Sequence, residues 1–421
     1  MRLYFSQQGN LILFEEWMRE NSDSAEWTAN DYERVMGNLP KGMTCAGGAL
    51  DDCFANNTAW KILESRHPDK FWYGSVSHGL NALHSEIISR FPGFKDYVQN
   101  VKDITSFVFR RREILSKLKA ICAKDNTPLV LEPFGGGWEL VCASVKSFLK
   151  QEKHLKLILD MPSFSQNAHD SLDQDQRTHF SGIIHNEAFL RGLNKMVDVL
   201  SPVVEFLLKL ENDHTPLSEV YAGYESLKEY YENLSSVDLS EKRIIEEILK
   251  NNWEAAYCKA YGITYLLDPR YLGAKMNSDC LDGIKAFICY SYPYKHESPS
   301  EPEAELCSWL QTWGRYAIEE PYRLNALKKG QMSMYEWWLH QDERKYPHLR
   351  ELALKVFSLP PSRDYDMRNI KSCMDFIRNN LSSIENEKVD KLMFVYFNMQ
   401  RIDDECKRKS DSSEKIFEDE F

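Results

Sequence analysis

Glu336-Trp337-Trp338, Tyr346-Pro347-His348-Leu349, Ala353, Ser358-Leu359-Pro360-Pro361-Ser362, Arg378-Asn379-Asn380-Leu381 and Val389-Asp390-Lys391-Leu392-Met393-Phe394 follow one another late in this 421-residue chain. Within them Leu349, Leu352, Ala353, Val356 and Phe357 recur at three-to-four spacing, and Val389, Leu392, Met393 and Tyr396 repeat the pattern. That period predicts paired helices with an apolar seam. Pro360 and Pro361 are expected to stop the first helix, because neither donates a backbone hydrogen bond and Pro360 pushes Leu359 toward extended backbone. By period alone the block is a pair of core helices; the order of its landmarks says more.

The succession Trp-Trp, Tyr-Pro-x-Leu, Ala, Leu-Pro-x-Ser, Arg-Asn-x-Leu and Val-x-x-Leu resembles the C-terminal dimerisation region of the hAT family, the cut-and-paste DNA transposases of eukaryotes. Leu267-Asp268-Pro269-Arg270-Tyr271 is similar to that family's Leu-Asp-Pro-Arg-Tyr segment. The resemblance implies an α/β plus α chain: an RNase H-like mixed sheet with its N-terminal strand missing, interrupted by an all-helical insertion and completed by C-terminal helices. In these terms 1–160 is a partial RNase H-like core and 161–282 the helical insertion and linker. Residues 283–405 complete the core and carry the dimerisation region at about 331–400, and 406–421 form a polar tail. It further implies association through Trp337, Trp338, Tyr346, Pro347, Leu349, Leu352, Ala353, Val389, Leu392 and Phe394, with a homodimer or a related hAT-derived protein as partner, and residence in the nucleus. An apolar surface around Trp337, Trp338, Tyr346, Leu349 and Phe394 is the corresponding expectation; enclosure of the same residues within one chain is the alternative the sequence leaves open.

Size and composition fit such a chain. A length of 421 residues accommodates two or three domains at the usual scale of about 100 to 200 residues each. A hydrophobic content of 43% excludes general disorder, and no apolar run approaches the roughly 20 residues that cross a bilayer. Met1-Arg2-Leu3-Tyr4-Phe5-Ser6-Gln7 lacks the layout of a secretory signal, so an intracellular chain is expected. The ten cysteines form no Cys-x-x-Cys or Cys-x-x-x-Cys pair, which predicts reduced, mostly buried thiols and neither a disulfide scaffold nor a thiolate zinc site. A net charge of -12 suits phosphate binding poorly. Arg110-Arg111-Arg112 with Lys117 and Lys119 reads mainly as a solvated helix face, with nucleic-acid contact as the sharper alternative, and Lys407-Arg408-Lys409 reads mainly as part of a polar tail, with a nuclear-localisation signal as the alternative.

Along the chain, Leu11–Phe14, Met43–Leu50 and Phe71–Val76 read as strands, with helices at Thr28–Leu39, Asn57–Arg66 and Leu80–Phe91. This alternation predicts an α/β layer with part of its sheet parallel. Helices are expected at 101–122 and 138–159, a short strand at 128–131, and a loop at 160–178. From Ile183 to Ala260 the chain reads as nearly continuous helix that continues through Pro202, with a further helix opening at Thr215-Pro216-Leu217-Ser218. Residues 283–330 read as aromatic, acidic helix with a loop at 292–303. Glu211 with His214 is an exposed helix end more readily than a site, and Gly135–Gly137 lacks the frame of a phosphate loop.

The resemblance implies chemistry by three carboxylates that hold two divalent metals, magnesium in active relatives, for in-line phosphoryl displacement. In Ala49-Leu50-Asp51-Asp52-Cys53-Phe54-Ala55-Asn56-Asn57, Asp52 stands where the family's second carboxylate ends a strand. The first carboxylate's Asp-x-Trp-[Ser/Thr] pattern occurs nowhere in the chain, and Met367 stands at the expected position of the Glu. The expectation is a vestigial site with no intact triad, no metal and no transposase activity. A DNA-binding or metal-dependent nuclease reading, with Asp51, Asp52 and Asp366 recruited, is the alternative. His78 in Tyr73-Gly74-Ser75-Val76-Ser77-His78 is expected as a structural histidine, the family's paired Cys being Ser75 here.

Overall fold

A computed structural model describes residues 2–7, 10–16, 24–39, 44–50, 54–129, 138–161, 171–210, 215–294, 301–311, 321–361, 388, 391–392, 395 and 399. These residues are mostly helical, with two small sheets, so the chain is an α-rich α/β protein. By contacts it divides into two compact units. One comprises Met1–Gly79, Leu208–Ser226 and Trp253–Phe421, the other Leu80–Leu207 and Leu227–Asn252. The expected segments 1–160, 161–282 and 283–405 cut the chain differently, since residues 80–160 group with later helices.

In the discontinuous first unit, β1 (Arg2–Gln7) and β2 (Asn10–Glu16) form an antiparallel hairpin. Then follow α1 (Ala25–Gly37), β3 (Gly47–Leu50), α2 (Phe54–Arg66) and β4 (Phe71–Gly74). β3 and β4 pair in parallel, as a strand-helix-strand crossover requires. Among the described residues no strand joins the two pairs, which form two separate two-stranded sheets. Ser24 caps α1 by accepting the Trp27 amide, so the helix begins at Ala25, three residues ahead of the expected start. Ala29 and Tyr32 of α1, Ala59 and Leu63 of α2, and Leu50 and Trp72 of the strands build one apolar core. Gly47 is required by the pairing, since a Cβ there would lie 1.8 Å from the Phe71 carbonyl oxygen.

The second unit is helical. It holds α3 (Val76–Arg90) from Leu80 on, α4 (Phe94–Arg110), α5 (Arg112–Lys124), α6 (Trp138–Asp160), α7 (Ser171–Ile184), α8 (Glu187–Leu210) as far as Leu207, and parts of α9 (Ser218–Asn233) and α10 (Leu239–Ala256). Phe91, Phe94 and Tyr97 pack in tilted succession, and Phe189 meets Tyr97 and Phe148 edge-to-face, in one aromatic core. Gly192 admits Tyr97, for a Cβ there would stand 2.4 Å from its ring. Arg90 to Glu247 at 2.8 Å and Lys195 to Glu241 at 2.9 Å tie α3 and α8 to α10. As expected, α8 continues through Pro202.

Three expectations need correction here. The helix expected at 101–122 is two, because Arg111 is extended between α4 and α5. Three adjacent arginines repel in one turn, whereas an extended Arg111 lays its guanidinium 3.9 Å from the Phe107 ring centroid and donates to the Phe107 carbonyl. The loop expected at 160–178 contains the start of α7. Its polar sequence hides a buried Arg177, which donates to the carbonyls of Leu159 and Met161 where α6 ends. Finally, Pro128 and Leu129 carry no strand.

The rest of the first unit is α11 (Lys259–Leu267), α12 (Ser278–Ala286) with a π turn at Phe287–Ser291, α13 (Glu301–Gln311), α14 (Pro321–Lys328), α15 (Met334–Leu339) and α16 (Pro347–Val356). α13 begins inside the loop expected at 292–303. The seven described cysteines are free and four are buried; burial pushes the Cys258 thiol up to about 12 and the Cys289 thiol up to about 11, which keeps both protonated. Among the described residues no helix is long and apolar enough to cross a membrane.

Candidate functional site: the C-terminal association region

The landmarks that open the C-terminal block are core residues. Ser333 caps α15 through a reciprocal pair with Glu336, its hydroxyl accepting the Glu336 amide while the Glu336 carboxylate accepts the Ser333 amide. The next two residues, Trp337 and Trp338, are fully buried. Trp338 donates its indole N–H to the Leu267 carbonyl at 3.1 Å, and Trp309 of α13 donates to Leu266 at 3.3 Å. The two indoles lie 4.5 Å apart, with Tyr346 edge-on to both.

Tyr-Pro-x-Leu is the start of a helix. Pro347 occupies the first turn of α16, where a missing N–H costs nothing. The Glu305 carboxylate, reaching over from α13, accepts the amides of His348 at 3.1 Å and Leu349 at 2.9 Å, and His348 Nδ1 lies 2.6 Å from it. A carboxylate set against two orphan N–H groups at the positive end of a helix is a favourable pairing. Leu349, Leu352, Ala353 and Val356 then line the buried face of α16. That helix ends at Val356, ahead of the prolines, and the Pro360 carbonyl accepts the Tyr73 hydroxyl of β4 at 2.7 Å.

The Leu-Asp-Pro-Arg-Tyr segment follows α11 and closes a buried ionic cluster. Asp268, fully buried, accepts the Ser218 hydroxyl at 2.6 Å and the Arg270 guanidinium at 2.7 Å. Arg270 also reaches Glu219 at 2.8 Å, while Lys209 and the Tyr271 hydroxyl bind that same carboxylate at 2.5 and 2.7 Å. Burial would raise the Glu219 carboxyl, but Arg270 and Lys209 outweigh it and hold it below the ordinary glutamate value. Glu305 carried no sequence signal, for it meets its partners across 43 residues of chain, and the sequence did not show that Glu219 binds Tyr271 across 52.

Trp337, Trp338, Tyr346, Leu349, Leu352 and Ala353 therefore do not form the expected apolar surface; they are enclosed by α11, α13 and α16 in one chain, and Pro347 is half-buried. Val389 and Phe394 lie outside the described residues. Leu392 is different: it is helical and 42% exposed, with Val395 and Met399 exposed beside it.

Residues 315–399 match the hAT family C-terminal dimerisation region. Over this segment the chain is hAT transposase-like. No curated protein matches it. The positions that bear on catalysis in a hAT transposase-like chain, namely Asp51, Asp52, Asp366 and Met367, lie outside the described residues, as do Gly135–Gly137, Glu211 with His214, and Lys407–Lys409. His78, expected as a structural histidine, is exposed on α3, while Ser75 and Ser77 near it are buried. Among the described residues no three of His, Cys, Asp and Glu converge on a point suited to a metal ion. Arg110, Arg112, Lys117 and Lys119 are exposed, while Arg111 is partly buried and pairs with Gln176 at 3.1 Å.

Proposed function

We propose that the chain is a transposon-derived protein that associates with a second copy or a related hAT-derived chain through its C-terminal region, without transposase activity. The observation that carries this is the match of 315–399 to a dimerisation region, joined to an α/β unit that a helical unit interrupts in sequence. An RNase H-like core is the fold this favours: strands at Arg2–Gln7, Asn10–Glu16, Gly47–Leu50 and Phe71–Gly74 precede the interruption. The loss of activity rests on sequence, since Met367 occupies the place of a metal-binding Glu. Replacing one hard oxygen ligand by a thioether removes a charge that a two-metal site needs. A nuclear location follows from the same kinship.

Two measurements test the reading. Sedimentation equilibrium at micromolar concentration is expected to give twice the 49.2 kDa chain mass, and a purely monomeric protein overturns association. Strand cleavage and strand transfer on transposon-end DNA with magnesium or manganese are expected at background. Metal-dependent cleavage abolished by Asp52→Asn would refute the inactive assignment.

A further inference from the structure

Pro202 lies inside α8, and a proline there has no N–H to give the carbonyl four residues back, that of Asp198. The place is filled from another helix. Tyr230, in the last turn of α9, donates its hydroxyl to the Asp198 carbonyl at 3.0 Å, and Tyr231 donates to the adjoining Val199 carbonyl at 2.7 Å. The two rings stand edge to face, 5.4 Å apart. They differ in access: Tyr231 is buried, whereas Tyr230 is 39% exposed. Partial burial, with the Asp198 and Glu205 carboxylates close by, pushes the Tyr230 phenol above its ordinary value. A backbone gap in α8 is thus closed by a hydroxyl at an accessible edge, in acidic surroundings.

We propose that Tyr230 is a tyrosine-phosphorylation site, and that the added phosphate opens this latch between the end of α9 and α8. The phosphoryl donor is ATP, acting through a tyrosine kinase. The phenolic oxygen forms the new O–P bond, the bond from the γ-phosphorus to its bridging oxygen breaks, ADP leaves, and the phenolic proton passes to the kinase's base. Helix ends fray, so the last turn of α9 opens to an enzyme more readily than the middle of a helix does. The product has no hydrogen to donate and carries a charge of about -2. The interaction is therefore reversed: an acceptor replaces a donor in front of the Asp198 carbonyl, and a dianion stands beside Asp198 and Glu205. Lys195 with Glu241 and Arg90 with Glu247 still hold α10, which confines the release to the end of α9. Tyr290, also exposed, gives its hydroxyl to the Glu303 side chain, so its modification takes no partner from the backbone. The proposal does not depend on the association reading.

The full chain, incubated with magnesium-ATP and a broad-specificity tyrosine kinase, tests it by tandem mass spectrometry and hydrogen exchange. Phosphate is expected on Tyr230, and its absence there overturns the site. Labelling of Tyr322, 83% exposed, shows in the same sample that the kinase acts on this chain. After phosphorylation the amides of Val203 to Leu207 are expected to exchange about 10-fold faster or more. Unchanged exchange with Tyr230 phosphorylated overturns the latch. Tyr230→Phe loses the donor without adding charge, and is expected to take no phosphate there and to speed exchange about 3-fold or less. Asp198→Asn with Glu205→Gln is expected to cut the effect of the phosphate by about half or more. A rise indifferent to those two carboxylates overturns the charge repulsion.

Discussion

Asp268 and Glu219 are buried carboxylates whose charge is tolerated because Arg270 lies between them. Arg270→Ala leaves both without that cation, and the cost is expected at about 3 kcal/mol or more, read as a shift in urea midpoint. Arg270→Lys should recover only part, since one ammonium cannot reproduce the guanidinium's contacts to both acids. Acid sensitivity has a second residue-level source. Burial lowers the His84 imidazole to about 4 from an ordinary value near 6.5. The unfolded chain therefore binds the proton first, so stability is complete above about pH 6.5 and falls as pH drops toward 4, by up to about 3 kcal/mol. Glu219, held below its ordinary value, adds a loss at still lower pH. Denaturant melts between pH 7 and pH 4 should show this slope, and His84→Gln should flatten its upper part.

The element scale concerns α15 and α16, whose sequence signals were legible but whose surroundings were not. Helical period in 349–357 predicted the buried stripe of α16 correctly. It did not show that the stripe faces α11 and α13 of the same chain, because a periodic apolar face is the same pattern whether a neighbour or a second molecule covers it. Leu349→Asp separates the cases: at a fully buried site it is expected to cost about 4 kcal/mol or to prevent folding, which a melting curve reads directly. A small stability change with loss of dimer would instead put Leu349 on an interface. Glu305→Gln tests the cap of α16, since it removes the charge beside the helix N-terminus and its bond to His348. About 1 to 2 kcal/mol of destabilisation is expected. Polar elements were the ones misread: α7 looked like a loop because its buried anchor is an arginine.

At the scale of the whole molecule, the C-terminal block is held by side chains from distant parts of the chain. Trp338, Trp309, Glu305 and Tyr73 knit the block into the α/β unit through Leu266, Leu267, α16 and Pro360. Trp338→Ala is therefore expected to lower the melting temperature of the chain itself, by the several kcal/mol that a buried indole contributes, about 3 to 5. An unchanged melting curve would contradict this enclosure.

The kinship of the chain, its α/β beginning, its helical middle and the existence of an association region were all determined by the sequence alone, because residue order, proline placement and period are local properties of the chain. What the tertiary structure decided is which apolar faces are used up internally. That depends on contacts between residues far apart in sequence, such as Trp338 with Leu267 and Glu305 with Leu349, whose joint geometry no local pattern records. Hydrophobic burial is non-directional and falls on whichever surface the fold brings near.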